Sequence, residues 1–110
     1  AKLFFVHTGA WIDQSKAQQV GSYTITYASG KTVDIPVEST VNISDWWSAP
    51  NNPVTVAQCV WSGQNGRSVV GVYAFMWSNP QSGDAIKFIQ LSARKDAVIG
   101  LVAVTGEATK

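Results

Sequence analysis

The chain has 110 residues, 45% of them hydrophobic and 14% charged, with a net charge of +1. This composition excludes a disordered tail and a charged coiled coil, and the length fits one domain with its own core. Lys and Arg are scattered rather than clustered, which argues against nucleic acid and an anionic membrane as partners, and no apolar run is long enough to cross a bilayer.

The first residues, AKLFFVHTGAW, lack a signal peptide's charged start, long apolar block and cleavage site. The chain therefore reads as a module of a larger protein. In residues 2–11, Leu3, Phe5, His7, Gly9 and Trp11 share one face of a strand, and Phe4, Val6, Thr8 and Ala10 share the other. Apolar residues on both faces predict an interior strand of a layered sheet structure. Residues 12–19 are polar and without strand period, hence a loop with room for a short helical turn.

Residues 20–27 and 31–37 predict a hairpin around Ala28, Ser29 and Gly30. Its register follows from face matching. A two-residue loop would set Ile25 against Asp34 and mix polar with apolar on each face. A three-residue loop sets Ile25 against Val33, Tyr23 against Ile35 and Thr24 against Asp34, giving one apolar and one wet face. That register calls for a type I turn with a bulge, and for Gly30 in the left-handed conformation.

Residues 41–53, VNISDWWSAPNNP, have no helical or strand period and read as a surface loop. Trp46 and Trp47 are adjacent within it. In an extended segment neighbouring side chains point to opposite sides, so one indole can anchor the loop while the other faces outward. The alternative is that both hold the loop over a sheet. Further strands are predicted over residues 54–61, 68–77, 85–93 and 97–105, with 68–77 a second interior strand. Polar turns separate them. About seven strands and no competing amphipathic helix predict an all-β, single-domain antiparallel β-sandwich of jelly-roll type.

Catalytic chemistry is poorly supplied. The acids Asp13, Asp34, Glu38, Asp45, Asp84, Asp96 and Glu107 are isolated from one another in sequence, and none lies in an apolar run that would raise its pKa. His7 is the only histidine and sits mid-strand on an apolar face, where a hydrogen-bonded interior role is expected. Cys59 is the only cysteine, so no intramolecular disulfide forms. Its apolar run predicts a buried thiol rather than a nucleophile. A zinc site would need more His and Cys. Loop carboxylates could ligate calcium, but no Asp-rich calcium loop is present, so no cofactor is expected. These residues do not predict an enzyme.

Binding is better supplied. Five tryptophans exceed what a sandwich of this size needs. The apolar face of a pyranose packs on an indole while amides and carboxylates bond its hydroxyls. Trp46, Trp47 and Trp77 are the candidate stacking rings, and Asp45, Asn51, Asn52, Gln64, Asn65 and Asn79 the candidate polar partners. Trp11 and Trp61, which end predicted strands, are expected to cap the core.

The segments FFVHTGAW, GSYTITYASGKTVDIPV, NISDWW, CVWSG and FMWSNP together resemble successive signatures of small jelly-roll domains attached to bacterial polysaccharide-degrading enzymes. In particular the chain resembles the cellulose- and β-glucan-binding modules found beside endoglucanases, over residues 3–107. Trp11, Trp46, Trp47, Trp61 and Trp77 match the aromatic positions of those signatures. The resemblance implies a secreted, non-catalytic module that binds β-1,4-linked glucans, including xyloglucan and mixed-linkage glucan, and holds a covalently linked glycoside hydrolase on plant cell-wall polysaccharide. On such a module Trp46 or Trp47 is expected to provide the main stacking surface, with Trp77 next, and the candidate polar residues Asp45, Gln64, Asn65 and Asn79 the hydrogen bonds. The competing expectation is a sandwich that docks against a neighbouring domain and binds no glycan.

Overall fold

A computed structural model describes residues 2–12, 17–47, 52, 54–64, 66, 69–81, 83–95 and 97–107. Among them are seven strands: β1 (Lys2–Ala10), β2 (Gln19–Tyr27), β3 (Thr32–Glu38), β4 (Gln58–Gln64), β5 (Val69–Ser78), β6 (Ile86–Ala93) and β7 (Val98–Glu107). One sheet has the order β4-β5-β1-β7 and the other β3-β2-β6, with every paired neighbour antiparallel. The chain is an all-β sandwich in one domain.

The hairpin of β2 and β3 takes the three-residue register. Ile25 faces Val33, Tyr23 faces Ile35 and Thr24 faces Asp34. Gly30 has φ of 92°, the left-handed backbone that this turn demands. On the wet face Thr24 Oγ1 donates to Asp34 Oδ1 at 2.7 Å. On the other face Tyr23 and Ile25 are buried completely.

The core is aromatic where the two sheets meet. Phe5 of β1 stacks on Phe75 of β5 with centroids 5.0 Å apart, and Tyr23 of β2 meets Phe5 from the opposite sheet at 4.4 Å. His7 lies in this layer, fully buried. Its Nε2 is 2.7 Å from the Asn42 carbonyl oxygen, which can only accept, so Nε2 carries the hydrogen. Nδ1 then accepts the Tyr23 hydroxyl at 2.7 Å. Burial lowers the His7 pKa to about 4, although the bond to Asn42 pulls the other way.

The two strands predicted to be interior, β1 and β5, are the central pair of the four-stranded sheet. Their inward residues Leu3, Phe5, His7, Tyr73 and Phe75 are buried. Their other face differs from the expectation of a covering layer. Phe4, Val6, Thr8, Ala10, Val72 and Ala74 are only half-buried and Met76 is exposed. No described element packs over them.

The fourth strand is displaced from its predicted place. Residues 54–57 are not strand, because their amides are used elsewhere: Thr55 donates to the Thr40 carbonyl, and Val56 and Ala57 to that of Val41. The strand begins instead at Gln58 and runs through Ser62 and Gly63, which pair with Gly71 and Val70. This shift puts Trp61 inside an edge strand rather than at its end. Cys59 is half-buried rather than buried, since an edge strand covers it from one side only.

Candidate functional site

Pairing between β1 and β5 runs as far as His7 opposite Tyr73. Beyond that point residues 45–47 enter between the two strands. Asp45 bridges Gly9, Trp46 N donates to the Gly9 carbonyl at 2.8 Å, Gly71 N donates to the Trp46 carbonyl at 3.0 Å, and Trp47 bridges Val70. The tryptophan loop is thereby spliced into one end of the sheet. The amides of Trp46 and Trp47 find the partners that a surface loop would otherwise take from water.

Asp45 organises this corner from inside. Its side chain is buried; one carboxylate oxygen accepts the Trp47 N–H at 3.0 Å and the other the Ile12 N–H at 3.3 Å. Its carbonyl accepts the Tyr73 hydroxyl at 2.8 Å and the Asn52 amide at 2.9 Å, and that amide also donates to the Trp47 carbonyl at 2.8 Å. Burial raises the Tyr73 pKa, which keeps the phenol a donor. Asp45 and Asn52, singled out as sugar partners, thus hold the loop.

The two indoles do not point to opposite sides. Their centroids are 5.2 Å apart with planes at 56°, because the backbone bends at Trp46 while Asp45 grips the next amide. Trp46 is half-buried and Trp47 is 38% exposed. Trp11 completes the group. Strand alternation would place it inward with His7, yet its φ of 55° turns the chain and leaves the indole 78% exposed. Ala10, Trp11, Asp45, Trp46 and Trp47 line an open cleft of about 350 Å³. A hollow of about 130 Å³ adjoins it, sharing Ala10 and Trp46 and reaching Val98 and Gly100 of β7.

Comparison with family models, curated proteins and solved structures found no match.

The remaining sequence candidates lie apart from this cleft. Trp77 is opposite Leu3 on the inner face and packs against the core, about 25 Å along the sheet from Trp11 at strand rise. Asn79, at the same far end, accepts the Tyr27 hydroxyl at 2.6 Å and the Gln81 N–H at 2.9 Å. Gln64 is exposed at the end of β4 nearest the cleft, opposite Val69. Asn51 and Asn65 fall outside the described residues. Trp61, expected like Trp11 to cap the core, is 58% exposed. Gly63 carried a sign of this: a glycine two positions along the same strand face marks a place where something large lies close to the backbone. No such sign marked Trp11, whose exposure depends on one backbone angle. Among the described residues no cluster of His, Cys, Asp or Glu could hold a metal ion.

Proposed function

We propose that this domain is a non-catalytic carbohydrate-binding module for β-1,4-linked glucans, with its stacking surface at Trp11, Trp46 and Trp47. The observation that carries the reading is the state of Trp11. The Trp11 indole is 78% exposed beside an aromatic cleft, so it adds almost nothing to the core, and its backbone has a positive φ that costs folding. A ligand that stacks on it supplies the missing partner. Trp46 and Trp47 are inclined at 56° to each other and Trp11 lines the same cleft, an apolar surface suited to the C–H faces of pyranoses. As in the implied family, the module would hold a linked glycoside hydrolase on plant cell-wall polysaccharide outside the cell.

Affinity gel electrophoresis against xyloglucan, barley β-glucan, hydroxyethylcellulose, xylan and mannan tests this. Retardation by the glucans alone is expected, weakened about tenfold by Trp11→Ala or Trp47→Ala, as an aromatic contact of ~1–2 kcal/mol implies. Unretarded migration on every gel, with no retention on insoluble cellulose, overturns it.

One observation favours a second reading, a docking sandwich in a multidomain protein. The outer face of the four-stranded sheet is apolar and open from Phe4 to Met76 and Val98. On that reading a neighbouring domain covers the face, and the isolated module binds no glycan.

A further inference from the structure

Trp61 is the large exposed aromatic that the cleft does not include, and the sheet register says where its ring lies. Gly63 pairs with Val70 from one side and Trp47 bridges Val70 from the other. Directly opposed antiparallel residues share a face, so Gly63, Val70 and Trp47 form one row across the outer face of the sheet. Trp61 is on the face of Gly63, two residues away. A Cβ added at Gly63 would come within 2.8–2.9 Å of the Trp61 six-membered ring. The indole therefore reaches along its own strand, with its six-membered ring over Gly63 in the space a side chain would fill.

Val70 lies between Trp61 and Trp47. It is only 6% exposed, yet it belongs to the outer face and stands outside the core cluster. Its low exposure on that face shows that the outer surface is closed over it, between the strand of Trp61 and the bridge of Trp47. Successive strands are ~4.8 Å apart, so the backbones of Gly63 and Trp47 are separated by about 10 Å, and β1, which ends at Ala10 just before Trp11, lies one spacing further. The aromatic row runs across the strands for the length of about three linked pyranose rings. Among the described residues on it, the only charged side chain is Asp45, and its carboxylate is occupied by two backbone amides.

We infer that Trp61, seated on Gly63, is a second stacking platform, and that the ligand is an internal stretch of a neutral β-1,4-linked glucan laid across β4, β5 and residues 45–47 towards Trp11. The inference rests on the glucan-binding reading and adds to it direction, length and a positioning residue. The described residues of the row carry no free charge, which suits an uncharged polymer and gives a polyuronate nothing to pair with among them. Gly63 is the positioning residue, since any side chain there lifts the Trp61 ring from its seat.

Isothermal titration of the domain with cellobiose and cellohexaose tests this, beside the gel assay on hydroxyethylcellulose. The unmodified protein should bind cellohexaose at least tenfold more tightly than cellobiose. Trp61→Ala should remove most of that gain and leave both the cellobiose affinity and the melting temperature unchanged. Gly63→Ala, which keeps the indole but displaces it, should reproduce part of the loss on cellohexaose. Equal affinity for the two sugars, or a Trp61→Ala variant that binds cellohexaose like the unmodified protein, overturns the extended path while leaving the glucan reading intact. A domain that binds neither sugar and migrates unretarded on every gel overturns both.

Discussion

Acidification should destabilise this domain through one side chain. His7 is fully buried, hydrogen-bonded at both ring nitrogens, and held at a pKa of about 4 against 6.5 when unfolded. Between those values the unfolded chain takes up a proton that the folded chain refuses, so the unfolding free energy falls as pH falls through the window. The contribution is complete above pH 6.5 and gone below about pH 4. A gap of about 2.5 pH units corresponds to ~3 kcal/mol in all, of which ~2 kcal/mol is lost by pH 5. For a domain of this size that is a large share of the total stability. The assay is urea unfolding followed by tryptophan fluorescence at half-unit steps from pH 7.5 to 4.5. His7 is the only histidine in the chain, so no other side chain has its ordinary pKa between 5 and 7. His7→Gln, which retains an amide donor for the Asn42 carbonyl, should be less stable at pH 7.5 and nearly flat down to pH 5. A flat profile in the unmodified protein, or the same slope in His7→Gln, would refute the reasoning.

Trp11→Gly should hold or raise the melting temperature, because glycine accepts the φ of 55° freely and the lost indole is mostly exposed, while glucan retention on affinity gels drops about tenfold. Asn52→Ala removes the amide that ties the Asp45 and Trp47 carbonyls; a stability loss of ~1–2 kcal/mol in urea melts should accompany weaker retention. Gly21→Ala would drive a methyl into the Ser92 carbonyl oxygen and the Ile99 side chain, and should cost ~2 kcal/mol or more by the same melts. Gly100→Ala, with open space around the new methyl, should stay within ~0.5 kcal/mol.

Legibility from sequence followed the reach of the forces involved. The β2–β3 register depends on two short strands and one turn, and the match of Tyr23 with Ile35 could be worked out because a slip would have mixed faces. Leu3, Phe5 and Val6 announced a central strand through their apolar character alone. That pattern could not say whether both faces of the strand would be covered. The shift of β4 was hidden for another reason: residues 54–57 look like strand, but the carbonyls of Thr40 and Val41, distant in sequence, take their amides. The site shows the same division. Trp46 and Trp47 stood out as a pair in a polar loop. Their convergence with Trp11 required the splice of residues 45–47 between β1 and β5, which no local period encodes. Asp45 looked like a surface ligand because its role as an internal clamp depends on the amide of Ile12, thirty-three positions away.

The clamp also separates two things that are usually bound together in a recognition surface. The corner is fixed by backbone atoms and by Asp45, Asn52 and Tyr73 beneath it. The rings standing on that corner are a different set of residues. On the glucan-binding reading, substitutions at 11, 46 and 47 among Trp, Tyr and Phe would change what is recognised without rebuilding what holds it. A lineage carrying this sandwich could diversify its ligands quickly on a scaffold that scarcely changes.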